Sequence, residues 1–206
     1  MGMSCLPLIL ASRSARRAQL LRDAGYAFEQ RTPPFDDPPQ PTATDPAHSA
    51  EQIASDLARQ KAMSLHEHLP TPAVVLAADT ICVDGDGRLI GQPTDADDAQ
   101  RMIEHFADAT HTVVSGVAVV GPGDERPSCF ADTATVHVGP IDVERVRAYI
   151  ASDQWRGKAG GYNLFERQAA GWPIRVEGDP TTVVGLPMRG VVRLLEAYGV
   201  RGGAKG

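Results

Sequence analysis

Several cations and one carboxylate carry the chemistry this chain could do. Ser12-Arg13-Ser14-Ala15-Arg16-Arg17 sets two hydroxyls and three guanidiniums in a row. Lys61 falls on the apolar stripe of a later helical pattern. Asp79 follows the apolar run 73–78, and Lys158 opens the glycine-rich turn Lys-Ala-Gly-Gly-Tyr-Asn. Cations can bind a charged phosphate chain and its leaving group, while a carboxylate prepares a water. The set suits hydrolysis of a phosphoanhydride. Asp36 and Asp37 add adjacent carboxylates that could bind a metal or only serve turn chemistry. Plainer readings stand beside the others. The arginines could form a solvated basic helix face, and Lys61 could snorkel. Lys158 could belong to an ordinary turn. Asp79 could be a cap or turn residue, but Thr80, Ile81 and Val83 continue the strand pattern beyond it.

These residues need elements to position them. The apolar run 6–11 fits a buried strand, and Ser12 or Ser14 fits the N-cap of a helix that stops at Gly25. Strand, tight loop and helix N-terminus direct free N–H groups and the positive dipole end to one place, a site for an anion. It is not a Walker P-loop, whose spacing is absent. A short strand is expected at 28–31, then a long proline-rich loop at 32–46. Ser49 and Gln52 form a capping box opening a helix to about His68. The run 73–78 reads as a central strand covered on both faces, and Asp-Gly-Asp-Gly at 84–87 as a hairpin turn. A helix carrying Met102, Ile103 and Phe106 follows, then strands at 113–120 and 134–138. A helix at 141–150, a glycine and proline loop at 178–187 and a helix at 191–198 complete the expected order. The tail 201–206 is expected to be disordered.

Composition narrows the class. With 206 residues, 42% hydrophobic and 22% charged, the chain suits a soluble α/β protein with one large domain or two joined lobes. A net charge of −6 argues against a nucleic-acid polymer as partner, though not against one small anion in a local basic pocket. No apolar run approaches the ~20 residues of a membrane helix. Cys5, Cys82 and Cys129 are widely spaced and odd in number, which favours reduced thiols and a cytoplasmic location. The histidines lack zinc-type spacing, and none is assigned as a ligand. The sequence leaves a homodimer open.

Seven stretches in order then resemble the Maf family of nucleotide pyrophosphatases. They are Leu-Ala-Ser-Arg-Ser-Ala-Arg-Arg at 10–17, Leu-Ala-Arg-Gln-Lys-Ala at 57–62, Ala-Asp-Thr at 78–80, Gly-Gln-Pro at 91–93, His111 to Val117, Trp155 to Tyr162, and Val-Gly-Leu-Pro at 184–187. The likeness runs from Leu8 to about Gly199 as a single unit. It implies a mixed central β-sheet flanked by helices, related to inosine triphosphate pyrophosphatases, with two lobes around a cleft. It also implies hydrolysis of a nucleoside triphosphate to monophosphate and pyrophosphate with Mg2+ or Mn2+. Asp79 would accept the proton. Ser12, Arg16, Arg17, Lys61 and Lys158 would hold the phosphates, with Ser14, Thr80, Gln92 and Phe165 completing the substrate site. Asp36 and Asp37 stand where the family has an Asp-Glu pair and would assist Asp79 at the metal.

Four positions depart from the family pattern. Ala15 replaces proline and Ser115 replaces threonine. Gln92 replaces the lysine of Gly-Lys-Pro, and Phe165 stands where glutamine or glutamate would read the base. Arg16 and Thr80 resemble the branch acting on dTTP and UTP, whereas Phe165 does not. A modified nucleotide is a further expectation. One rival reading is a catalytically weakened nucleotide-binding regulator of cell division. Another is an inosine/xanthosine triphosphate pyrophosphatase, but that family's opening motif is not evident.

Overall fold

The computed structural model describes residues 6–36 and 49–203. A seven-stranded mixed sheet forms its centre. Strands β1 (Leu8–Ala11), β2 (Glu29–Arg31), β3 (Val74–Val83), β5 (Ala109–Val120), β6 (Ser128–Val138) and β7 (Ile174–Glu177) lie in the order β2-β1-β3-β5-β6-β7. Strand β4 (Leu89–Ile90) lies off this path and pairs with β3. The β1 pairings are parallel and the remaining ones antiparallel.

Alternation along each strand sorts residues onto the two faces. Leu8, Leu10, Val74, Leu76, Ala78, Val117 and Val119 face helices α1 (Ala15–Asp23) and α7 (Met188–Ala197). Ile9, Val75, Ala77, Ala118 and Val120 face helix α2 (Ala50–His66) through Ala58, Ala62 and Leu65. A separate apolar cluster joins α3 (Ala96–Phe106) and α4 (Val143–Ala151) through Ile103, Tyr149, Trp155 and Trp172. The cleft lies between this cluster and the β1–α1 end of the sheet.

Local signals explain the boundaries. Ser14 caps α1 by accepting from Arg17 N–H at 3.3 Å, and Gly25 takes a left-handed φ of 78° just past its end. The expected capping box at α2 is complete, with Ser49 and Gln52 bonded reciprocally. Gly25 also accepts from Gly203 N–H at 2.8 Å, so 201–203 are docked, contrary to the disorder expected there. The expected loop at 178–187 contains a short helix, α6 (Pro180–Val184), which Asp179 caps. Helix α5 (Leu164–Ala169) and strand β7 had no sequence-based expectation. Asp37 and most of the proline-rich loop lie outside the described residues, as do Cys5 and the end of the tail.

Asp79 does not close its strand, as the apolar run suggested. It lies inside β3, opposite Gly116 of β5. Strand β1 ends at Ala11, with Leu10 opposite Leu76. Asp79 therefore stands beyond the last β1 pairing, where the sheet opens on that side. Gly116 lets α2 approach: a Cβ there would meet the Ala54 carbonyl carbon and oxygen at 2.3 Å. Backbone cannot yield as a side-chain tip can. Gly116→Ala is expected to cost at least the ~1–3 kcal/mol typical of overpacking, measured by urea denaturation, and to displace the helix that carries Lys61.

Candidate active site

Two consecutive residues of β3 point to opposite faces, and each meets a cation from the helix covering its face. On the α2 side, Lys61 Nζ donates to Asp79 Oδ1 at 2.5 Å. Both side chains are about nine-tenths buried, at 11% and 10% exposure. Phe35 lies over the ammonium, with its ring centroid 5.9 Å from Nζ. Asp79 Oδ2 is buried and has no hydrogen-bond partner among the described residues. A buried carboxylate oxygen without a donor is costly, so this atom is suited to a water, a metal or a ligand.

On the α1 side, Arg17 makes a fan of bonds. Its Nε donates to Gly185 O at 2.8 Å, one terminal nitrogen to Ala78 O at 2.6 Å, and the other to Thr80 Oγ1 at 2.9 Å. Ser12 Oγ accepts a longer bond at 3.4 Å. Thr80 Oγ1 also lies 2.9 Å from Ser115 Oγ, which donates to Thr182 O at 2.9 Å. Thr182 in turn bonds to Asp132. The serine in place of threonine at position 115 thus keeps the hydroxyl that this chain of bonds uses.

Around this core opens a cleft of about 1540 Å3. That exceeds the ~300–1,000 Å3 of an ordinary small-ligand pocket and leaves room for a nucleotide with its phosphates. Its lining brings together Ser12, Ser14, Arg16, Arg17, Lys61, Asp79, Thr80 and Gln92, with Asp36 on the rim. Arg16 is half-buried and reaches Gly157 O at 3.4 Å across the cleft. Burial draws its pKa below the ordinary value, opposed by Glu166 and Tyr149, and it remains a cation. Lys158 and Phe165 stand apart from this lining. Lys158 Nζ donates to Glu166 Oε2 at 2.5 Å, while its neighbours Gly157 and Ala159 line the cleft. Phe165 is 43% exposed. Asn163 lines the cleft instead, with its Oδ1 taking Glu166 N–H at 3.2 Å.

Among the described residues, no three His, Cys, Asp or Glu side chains converge on a point. Magnesium commonly takes one or two carboxylates and completes its shell with water and substrate phosphates. Asp79 and Asp36 both line the cleft.

Arg13, His111, Tyr162 and Asn163 also line the cleft, and sequence reasoning had given none of them a site role. Arg13 belonged to the basic cluster but carried no signal of its own. His111 is 1% exposed, stacks on Phe106 with ring centroids 4.1 Å apart, and lies 2.8 Å from Tyr162 OH through Nε2. Burial, helped by His105 and His137, pulls its pKa down to about 4. Burial, with Asp84 nearby, also raises the Cys82 thiol to about 12.

The fold and the cleft together define a mixed α/β protein whose cationic pocket meets a buried carboxylate. The chain belongs to the Maf-like protein family, whose model matches residues 7–198. It is 39% identical over 195 residues to the dTTP/UTP pyrophosphatase of Salinibacter ruber, covering 95% of this chain and 92% of that one. The protein of the same name from Koribacter versatilis is 38% identical, over 94% and 95% of the two chains. That of Shouchella clausii is 36% identical, over 92% and 94%. A nucleoside-triphosphatase / dITP/XTP pyrophosphatase structure from Mycobacterium abscessus overlaps at TM-score 0.38 and 18% identity. It covers 66% of this chain and 76% of that one, a likeness too loose to bear on fold or activity.

The neutral histidine has a measurable consequence. Its folded pKa lies below the ~6.5 of an exposed imidazole, so the unfolded chain binds the extra proton between those values. Stability from His111 is complete above about pH 6.5 and is lost as pH falls towards 4, by up to ~3 kcal/mol. Urea denaturation at pH 7 and pH 4.5 should show a smaller pH-dependent loss in His111→Gln than in wild type.

Proposed function

We propose that this protein hydrolyses a nucleoside triphosphate to the monophosphate and pyrophosphate, with dTTP and UTP as its first substrates. One observation carries the reading: a carboxylate held by Lys61 through one oxygen, with its second oxygen lacking a donor among the described residues, inside a cationic cleft. The shared name of the relatives supports the choice of substrate.

Asp79 Oδ2 takes a proton from a water that attacks the α-phosphorus. The bond from that phosphorus to the bridging oxygen breaks, and pyrophosphate leaves with the electron pair. Lys61 fixes the carboxylate rotamer through Oδ1. Arg13 and Arg16 offer guanidinium donors to the phosphate chain. Ser14 leaves the first N–H groups of α1 directed at the same region. Asp79 and Asp36 would hold Mg2+ or Mn2+, which supplies charge neutralisation on the phosphates. Free Cys82 and Cys129 agree with reducing surroundings, and we place the activity in the cytoplasm. Among the described residues, no helix is long and apolar enough to cross a membrane.

Pyrophosphate release across a panel of common and modified triphosphates, with Mg2+ or Mn2+, tests the reading. Nucleoside diphosphate as first product would reject α-phosphorus attack, and preference for a purine or 7-methyl-GTP would reject the base assignment. Asp79→Asn should remove at least the ~10²–10⁴ in rate that general-base catalysis contributes, with circular dichroism unchanged. Activity above a third of wild type would take Asp79 out of the mechanism.

Gln92 lines the cleft beside Gly91, whose carbonyl takes Gly160 N–H at 3.0 Å. A neutral amide makes hydrogen bonds to phosphate about half as strong as a charged donor does. Gln92→Lys is expected to raise kcat/KM about tenfold, equivalent to ~1.4 kcal/mol. Unchanged or lower efficiency over the panel would mean that another cation already fills that role.

A further inference from the structure

We infer that Arg17 is a positioning residue for Asp79 rather than a phosphate ligand; the inference rests on the function proposed above. The carbonyl of Ala78 and the hydroxyl of Thr80 flank Asp79 in the chain, and the two ends of the Arg17 guanidinium hold one each, at 2.6 and 2.9 Å. Its Nε ties the same plane to Gly185 O at 2.8 Å. Gly185 ends α6 in a left-handed conformation, with φ 107°. One planar group thus joins α1, β3 and the α6 terminus.

Strand geometry explains why a clamp is needed. Asp79 lies past the end of β1, so one edge of β3 has lost its parallel neighbour there. The other edge keeps β5, with Asp79 opposite Gly116, which offers no side chain to pack against. Lys61 pulls on Asp79 from the α2 face. Arg17 holds the Ala78 carbonyl on one side of it and the Thr80 hydroxyl on the other, from the opposite face. Three bonds in a fixed fork match guanidinium geometry, and an ammonium has no such plane. Arg16, the adjacent residue, instead reaches Gly157 across the cleft. Neighbouring arginines therefore have different tasks, one on the scaffold and one towards the ligand.

A kinetic split separates the two roles. Arg17→Lys keeps the charge and loses the fork. It should lower kcat at least 30-fold while KM for UTP and inhibition by pyrophosphate stay within threefold. Thr80→Val removes one acceptor of the clamp and no charge, and should lower kcat in the same sense. Thr80→Ser should restore most of it. A tenfold rise in KM and in the pyrophosphate inhibition constant, with kcat retained, would make Arg17 a phosphate ligand and overturn the inference. If Arg17→Lys does not fold, Thr80→Val decides: kcat within twofold of wild type overturns the clamp. Wild-type protein inert on every triphosphate would reject the proposed function alone. Amide hydrogen exchange over residues 76–83 then reads the clamp without substrate. It should be at least tenfold faster in Thr80→Val than in Thr80→Ser, and equal rates would overturn the inference.

Discussion

A lysine and an aspartate 2.5 Å apart, both withdrawn from water, set the terms for the rest of the molecule. Taking two charges out of solvent costs several kcal/mol each before their attraction returns any of it. Such a pair contributes to stability only if its geometry is held closely. The fold meets that condition through α2. This helix is seated against β3 and β5 by Ala54, Ala58 and Ala62, which bring its axis near the sheet. Gly116 removes the last obstacle at the level of Asp79. Small residues on the helix and a glycine on the strand are therefore part of the site, although none of them touches a ligand.

Much of this was legible in the sequence where one local rule acted alone. The capping box at Ser49, the Ser14 cap and the hairpin at 84–87 follow from residues within a few positions of one another. The Lys61 and Asp79 positions were also visible, as charges set on apolar patterns. Their pairing was not, because it depends on α2 crossing β3 eighteen residues later in the chain. Strand β7 went unseen because it has four residues with alternate positions half-buried, and its pairing with β6 supplies what its own pattern lacks. Helix α6 went unseen because Gly178, Pro180 and Gly185 resemble a loop. Asp179 and the proline at the first helical turn are nonetheless good helix starters.

Among the cations, sequence could count charges but not allocate donors. Arg16, Arg17, Lys61 and Lys158 looked alike as phosphate ligands. In the structure, Lys158 meets Glu166, Lys61 meets Asp79, and Arg17 meets two backbone carbonyls and a threonine. A carboxylate or carbonyl that accepts a cation's hydrogen bond competes with phosphate for it. The formal charge of the cleft therefore overstates what it offers a substrate, and Arg13 gains weight as a lining residue outside the family pattern.

The same reasoning applies to the substitution at position 92. If the cleft needed every family cation as a ligand, loss of one lysine would leave a deficit that nothing nearby could cover. If several cations hold protein atoms in place, the ligand-facing set is smaller and each member counts for more. Arg13 stands in the loop between β1 and α1, at the N-terminal end of the helix and on the lining of the cleft. Its charge is added at the serine loop and not at position 92, where the side chain remains a neutral amide.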